Sequence, residues 1–193
     1  IKLMFENFNF NLISKNYNVV GLRVSVSKGG CSGMTYEVSL SVKIKVGVEV
    51  IKKLGGLNKF MSWNRSILTD SGGFQIMSLG KNVKVDDEGV TFKSHLNGDL
   101  VRLNAEKSIE VQKILNSTIT MTFDECVPYP FSYSSTEDSL ERSSKWTKRS
   151  LNAYKKKNGY GLFAIVQGGM YKDLRKKSIE FLSSMGFDGY AVG

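Results

Sequence analysis

Short apolar runs alternate with amphipathic segments from about residue 47 to residue 193. The runs at 67–69, 119–123, 161–166 and 190–193 are typical of strands, and the segments at 104–115, from about 136 and from about 171 have helical periodicity. Buried strands separated by amphipathic helices form βα units, so this pattern predicts an α/β fold with a parallel sheet. A complete (β/α)8 barrel takes roughly 250 residues. The 193 residues of this chain therefore predict an incomplete TIM-type barrel.

The first 46 residues have a different pattern and predict a β-rich N-terminal segment. Apolar residues alternate with polar ones over 8–12, 22–26 and 36–46, and the glycine-rich stretch 28–33 predicts a hairpin turn. Residues 48–54 then predict a short helix that ends at Gly55 and Gly56. Residues 81–103, with turns at 86–89 and 97–98, predict an antiparallel insertion in the barrel. The predicted division is therefore 1–46 and 47–193.

A polar or glycine residue follows each predicted strand of the second part. These residues are Asp70, Asp124, Gln167 and Gly193. The carboxyl ends of parallel strands meet at one face of a barrel or open sheet, where such folds place their chemistry. Two carboxylates meeting there could share acid–base work, or one could accept paired N–H donors from a planar ligand. Gln167 suits the reading of a base edge, whereas either aspartate could simply cap a loop.

The run Asp70-Ser71-Gly72-Gly73-Phe74-Gln75 is the sharpest of these strand-end clusters. Two glycines beside a carboxylate let a ligand approach backbone N–H groups, although a plain β-turn with a capping aspartate would have the same composition. Phe74 or Tyr129 could stack on a base, with core packing as the default for either ring. The chain contains no glycine-rich nucleotide-binding motif or P-loop.

Charge and cysteine content narrow the classes of partner. A net charge of +9 favours a polyanion, nucleic acid before membrane, and the sequence has no apolar run of about 18 residues that could form a membrane span. Two cysteines suit a reducing cytosol, so a cytoplasmic protein is expected. Cys31 is at most a weak ligand for iron or zinc, Cys126 is expected to be a small buried side chain, and the single histidine, His95, is expected to be structural. The basic run 145–157 is expected to be a solvated face, with contact to phosphates as the alternative.

The segments ILTDSGGFQIMSL (67–79), EGVTFKSHLNG (88–98), TMTFDECVPYP (120–130), FAIVQGG (163–169) and GFDGYAVG (186–193) together resemble the bacterial tRNA-guanine transglycosylases, also called queuine tRNA-ribosyltransferases. The resemblance runs in order from about Gly47 to Gly193. It implies a (β/α)8 barrel with insertions and the replacement of guanine at the anticodon wobble position of tRNA by a 7-deazaguanine, in the queuosine pathway. The implied partners are tRNA and a guanine or deazaguanine base, with a homodimer expected for a full-length protein.

The same resemblance implies roles for individual residues. Asp70 would be the catalytic proton acceptor, and Phe74 would be the aromatic platform of the base pocket. Asp124 would accept hydrogen bonds from the base, and Gln167 would contact it too. The implied substrate-binding set is Asp70, Ser71, Gly72, Gly73, Phe74, Asp124, Gln167 and Gly193.

Two departures from the family pattern shape the remaining expectations. The family's aspartate nucleophile and its zinc site would lie beyond residue 193, which predicts a truncated, inactive fragment with no metal or cofactor of its own. Residues 20–42 instead resemble the first hairpin of the A-type iron–sulfur carriers, with Cys31 as a ligand, but the Cys-Gly-Cys pair of that family is absent. The alternatives are therefore an iron–sulfur carrier-like module fused to a barrel remnant, or a non-functional chimeric product with a foreign insert at 20–42.

Overall fold

The computed structural model describes residues 22–29, 33–40, 44–77, 83–94 and 98–193. In chain order the strands are β1 (Leu22–Gly29), β2 (Gly33–Leu40), β3 (Leu68–Thr69), β4 (Val83–Asp86), β5 (Gly89–Lys93), β6 (Leu100–Leu103), β7 (Ile119–Met121), β8 (Gly161–Val166) and β9 (Gly189–Val192). The helices are α1 (Ile44–Leu54), α2 (Leu57–Phe60), α3 (Gly73–Met77), α4 (Ala105–Ile114), α5 (Tyr133–Ala153) and α6 (Lys172–Ser183). These described parts form a mixed α/β fold, as the sequence predicted.

A parallel sheet in the order β3-β7-β8-β9 organises the fold. Leu68 pairs with Ile119, Thr120 with Leu162, and Phe163 with Gly189, so the four strands run in the same direction. α4 leads from the insertion into β7, α5 connects β7 to β8, and α6 connects β8 to β9. Successive helices pack against one another, with α4 against α5 and α5 against α6. The carboxyl ends of β3, β7 and β8 therefore lie side by side.

Local sequence signals explain where the helices begin and end. Asn104 caps α4, because its Oδ1 accepts a hydrogen bond from the Lys107 backbone N–H at 2.9 Å. Ser132 caps α5 through a reciprocal pair of bonds with Ser135. α1 ends at Leu54, and Gly55 then takes a left-handed conformation with φ of 84°.

The antiparallel insertion forms a separate three-stranded sheet, in the order β4-β5-β6. Its inner face meets α4, α5 and the end of β7 in a hydrophobic cluster built around Phe123 and Trp146, whose rings stack with centroids 4.8 Å apart. The Trp146 indole N–H also donates to the Asp87 backbone carbonyl at 2.8 Å. The cluster fixes the insertion against the helical layer beside the end of β7.

In the N-terminal part of the chain, β1 pairs with β2 in antiparallel register, from Leu22↔Leu40 to Gly29↔Gly33. Two predicted features, the strand at 8–12 and the tip of the hairpin at 30–32, lie outside the described residues. The prediction of β structure through residue 46 is wrong, because α1 begins at Ile44. Ile44, Val48 and Ile51 are spaced by four and three, so the same apolar residues also satisfy the helical period.

Two other boundaries and two short helices differ from the sequence-based expectations. β7 ends at Met121 rather than 123, and α5 begins at Tyr133 rather than near 136. The short helices α2 and α3 were not predicted, and α3 contains Gly73 and Phe74, which had been read as a loop. No helix in the described part of the chain is both long and apolar enough to cross a bilayer.

Candidate functional site

Three side chains from the ends of adjacent parallel strands meet in a buried polar cluster. Ser71 follows β3, Asp124 follows β7 and Gln167 follows β8, and all three side chains are buried. The Ser71 hydroxyl donates to Asp124 Oδ1 at 2.6 Å, and the Gln167 amide Nε2 donates to Asp124 Oδ2 at 2.7 Å. A carboxylate has about four lone-pair sites, and Ser71, Gln167 and the weak Cys126 thiol donor use three of them. Asp124 can therefore accept one further donor directly and a second by displacing the thiol. The structure thus brings together residues that lie far apart in the sequence.

Burial raises the pKa of the Asp124 carboxyl above its ordinary value, because the ionised form loses its hydration. The charge of Asp70 acts in the same direction, which means that the two carboxylates are close enough to interact. The hydrogen bonds from Ser71 and Gln167 oppose both effects by stabilising the ionised form. Burial alone would favour the protonated acid, whereas these two donors favour the ionised carboxylate and fix its position.

Two glycines pack directly against this cluster. A Cβ atom on Gly73 would lie 2.4 Å from the Asp124 backbone oxygen and 2.8 Å from its Oδ1. A Cβ atom on Gly193 would lie 2.6 Å from Gln167 Nε2. Neither position has room for a side chain without displacing the cluster, because real Cβ contacts of this kind are not found below about 3.0 Å. Two of the three glycines predicted for the site therefore contact the cluster, and the third, Gly72, takes a φ of 96°.

Asp70 and Phe74 lie at the solvent-exposed side of the same strand end. Asp70 Oδ1 accepts the backbone N–H of Ser71 at 2.7 Å, and its Oδ2 accepts from Gln75 Nε2 at 3.2 Å. Phe74 is 57% exposed, so its ring is not part of the core. The default expectation of core packing is therefore wrong for Phe74. The exposed positions of Asp70 and Phe74 leave both accessible to a ligand.

The sequence reasoning missed a set of residues on α4 that support the cluster from behind. The Ser108 hydroxyl donates to the Ser71 carbonyl at 2.6 Å. Gln112 donates from Nε2 to the Met121 carbonyl at 2.9 Å and accepts the Met121 N–H through Oε1 at 2.9 Å. The spacing of Ser108 and Gln112 could have indicated this role, because they are polar residues four apart on the buried face of α4.

A cleft of about 460 Å³ opens beside the cluster, between Asp124 and the inner face of the antiparallel insertion. Its volume lies within the range of small-molecule sites. Gly73, Asp124 and Cys126 form its polar side, and its apolar wall consists of Ile76, Met77, Val83, Val85 and Val90. The Cys126 thiol lies 3.8 Å from Asp124 Oδ2, and burial raises the pKa of this thiol to about 12. Cys126 is only partly buried, and at neutral pH it is a neutral thiol rather than a nucleophile.

None of the remaining candidates among the described residues joins the site. Among the described residues, no three His, Cys, Asp or Glu side chains are grouped in a way that could hold a metal ion, while Cys31 and His95 lie outside these residues. Much of the basic run on α5 and after it is engaged by neighbouring side chains. Lys145 pairs with Asp87 at 2.6 Å and Arg149 with Glu106 at 2.7 Å. Lys156 pairs with Asp188 at 3.0 Å, and Lys148 lies over the Phe181 ring. Partners of this kind favour the interpretation of a solvated face.

The fold and the site define an α/β protein with a buried polar cluster and an adjacent cleft at the carboxyl ends of a parallel sheet. The family model described as queuine tRNA-ribosyltransferase matches residues 14–193, and the chain belongs to this family. It is 51% identical over 150 residues to the queuine tRNA-ribosyltransferase of Bacillus subtilis (strain 168), a match that covers 78% of the chain and 39% of that relative. It is 48% identical over 161 residues to the enzymes of the same name from Rickettsia felis and Rickettsia conorii, covering 83% of the chain and 44% of each relative.

The chain therefore spans about two-fifths of the length of these curated relatives. The family match also includes residues 20–42, for which a foreign insert had been expected. Neither the family match nor these relatives support the resemblance of that segment to an iron–sulfur carrier.

Proposed function

We propose that this chain supplies the base-binding part of a tRNA-guanine transglycosylase, which exchanges guanine at the anticodon wobble position of tRNA for a 7-deazaguanine. The single observation that carries the proposal is the buried Asp124 carboxylate, held between Ser71 and Gln167 beside a cleft of about 460 Å³. Membership of the family and the names of its relatives support the choice of reaction. The partners that follow are tRNA and a guanine-type base, and the reaction is expected in the cytoplasm.

Guanine and 7-deazaguanine present two adjacent N–H donors, N1–H and the 2-amino group, on one planar edge. A fixed carboxylate is the natural acceptor for such a pair, because an ionised carboxylate only accepts hydrogen bonds. Asp124 therefore binds this edge, and the Gln167 amide positions the carboxylate and adds a group that can both donate and accept. Because the pKa of Asp124 is raised, base binding weakens as the pH falls through that pKa.

Asp70 is assigned as the proton acceptor. When N9 of an incoming base bonds to the ribose carbon, the bond from that carbon to the group it replaces breaks. The N9 proton must then leave, and a carboxylate at the edge of the site can receive it. The exposed position of Asp70 and its hydrogen bond from the Ser71 N–H support this role. Phe74, on the helix that follows, is assigned as the exposed aromatic surface against which the base stacks.

The parallel sheet is proposed to be part of a (β/α)8 barrel, with residues 47–193 as the barrel portion. Both edge strands of the sheet carry exposed apolar side chains, Leu68 on β3 and Val192 on β9. Apolar side chains on the face of a sheet are normally covered by a further packed layer. The barrel places the proposed base site at the carboxyl ends of its strands, the usual location of barrel active sites.

Calorimetric titration with three purines tests the base assignment. Guanine offers both N–H donors to Asp124, hypoxanthine lacks the 2-amino donor, and adenine presents an unprotonated N1. We expect affinity to fall in this order, with a loss of about 1–3 kcal/mol for each unmatched group. Equal affinity for guanine and adenine, or no binding of guanine, would contradict the proposed function.

A further inference from the structure

An exposed cluster of aromatic side chains lies beside the proposed base site and has no role in it. The cluster, here called the aromatic rim, consists of Tyr129, Phe131, Tyr133 and Tyr171, with Met170 beside them. Tyr129 is 86% exposed and Met170 is 83% exposed, although burying such side chains would be favourable. Large apolar groups kept in solvent this close together indicate a contact surface.

The rings of the aromatic rim form a continuous chain of edge-to-face contacts. Tyr129 meets Phe131 with centroids 5.8 Å apart and planes at 89°, and Phe131 meets Tyr171 at 6.2 Å. Tyr171 meets Tyr133 at 5.0 Å, and the Tyr133 hydroxyl donates to the Asp173 carboxylate at 2.5 Å. These contacts fix the rings in place. The high exposure of Tyr129 leaves its ring faces open for stacking.

The aromatic rim is continuous with the proposed base site. It is built from the segment after β7, which carries Asp124 and runs into the start of α5, and from the loop after β8, which begins at Gln167. A Cβ atom on Gly169 would lie 2.9 Å from the Phe131 ring, so the two loops touch. Arg175 donates to the Gly169 carbonyl at 2.6 Å and to the Gly193 carbonyl at 2.7 Å, which ties the rim to the end of β9.

The rim carries charges of both signs, the Asp173 carboxylate held by the Tyr133 hydroxyl and the Arg175 guanidinium. No acidic side chain of the described residues forms a salt bridge with Arg175, whose charge is met only by these neutral carbonyl groups. The whole chain carries a net charge of +9. A nucleic acid strand combines negative phosphates with flat bases, so it matches both the cation and the open ring faces.

We propose that the aromatic rim stacks the unpaired nucleotides next to the guanine that enters the site, so that its partner is a single-stranded loop of RNA. This inference rests on the proposed function, because it takes the guanine site as the point from which the strand runs across the rim. Base stacking on aromatic side chains tolerates any base. The rim therefore contributes affinity for an unpaired loop rather than a choice of sequence.

Fluorescence anisotropy with a short RNA hairpin, whose unpaired loop contains guanine, tests the rim. Tyr129→Ala is expected to weaken binding roughly 5- to 150-fold, the loss that one stacked base gives. Tyr129→Phe keeps the ring and should bind like the unchanged chain. Trp63→Ala is the matched control, because Trp63 is an exposed aromatic residue on the segment that enters β3 at the opposite end of the sheet.

A second hairpin separates stacking from phosphate contact. It keeps every phosphate and the guanine, but abasic sites replace the loop bases beside the guanine. We expect this hairpin to bind more weakly and to be insensitive to Tyr129→Ala. An unchanged affinity of Tyr129→Ala for the intact hairpin, an equal loss on both hairpins, or no hairpin binding by the unchanged chain would overturn the inference.

Titration with free guanine separates this inference from the proposed function. Tyr129→Ala should bind free guanine as the unchanged chain does, because the ring is assigned to the neighbouring nucleotides. If the chain binds guanine and Tyr129→Ala does not change hairpin affinity, the inference about the aromatic rim is wrong while the proposed function stands. If the chain binds no guanine, the proposed function fails, whatever the hairpins do.

Discussion

Substituting Gly73 by alanine tests whether the geometry around Asp124 determines base binding. The added methyl group would lie 2.4 Å from the Asp124 backbone oxygen and 2.8 Å from its Oδ1, so the end of β7 must move. Overpacking of this kind costs about 1–3 kcal/mol. Alanine recovers up to about 1 kcal/mol because it favours the helical backbone of α3 more than glycine does. We therefore expect a net loss of about 0–2 kcal/mol in the free energy of unfolding.

The effect of Gly73→Ala on guanine binding is expected to be larger than a general loss of stability would explain. Moving the Asp124 oxygens away from the two N–H donors removes about 1–3 kcal/mol, or roughly 5- to 150-fold in affinity. Urea unfolding gives the first quantity and calorimetric titration with guanine gives the second.

Gly98→Ala is the matched control for this experiment. Gly98 has a φ of 73° and no atom within 4 Å of an added Cβ, so its substitution strains the backbone without a clash. It should destabilise the fold by a similar amount, about 1–2 kcal/mol, and leave guanine affinity unchanged. The reasoning is refuted if Gly73→Ala keeps both its stability and its guanine affinity, or if Gly98→Ala loses affinity equally.

Three further predictions concern the stability of the same region. Gln112→Ala leaves the N–H and carbonyl groups of Met121 unpaired and should lower the free energy of unfolding by about 2–4 kcal/mol in urea; an unchanged unfolding midpoint would contradict this. The pKa of Asp124 is raised in the folded state, so the stability that this group contributes is complete below the unfolded pKa of 3.8 and is lost as the pH rises through the folded pKa. The free energy of unfolding of the unchanged chain should therefore fall relative to that of Asp124→Asn, by about 1.4 kcal/mol for each pH unit between the two pKa values. Parallel pH profiles of the two proteins would contradict this. Arg142→Met breaks the two contacts with the partly buried Glu125 carboxylate, at 2.7 and 3.3 Å. It should lower the free energy of unfolding by about 1 kcal/mol at low salt and by less at high salt, and no change at either salt concentration would contradict a stabilising ion pair.

The parallel part of the fold was predictable because its residues carry redundant signals. β8 has the predicted bounds, and Asn104 begins α4 as its capping chemistry indicates. The predicted ends of elements were wrong where the same apolar residues fit both the strand period and the helical period. This happens at Ile44, where the apolar alternation of a strand continues into a helix. α3 was missed because a pair of glycines and only five residues carry too little helical signal.

The candidate site was predictable in its membership but not in its geometry. The rule that parallel strands place polar residues at their carboxyl ends brings Asp124 and Gln167 together without any coordinates. The same rule does not predict that Ser71, rather than Asp70, hydrogen-bonds to Asp124, because the choice depends on the turn into α3. Support from Ser108 likewise depends on how α4 packs behind the strand ends.

Calorimetric titration of guanine into the unchanged chain and into Asp124→Asn tests the central claim most directly. An asparagine side chain presents one acceptor and one donor, so it cannot accept both N–H groups of guanine. The account predicts that Asp124→Asn lowers guanine affinity by about 1–3 kcal/mol. It also predicts that Asp70→Asn, which changes an exposed carboxylate outside the hydrogen-bonded cluster, leaves guanine affinity nearly unchanged. Equal guanine affinity of Asp124→Asn and the unchanged chain would contradict the account.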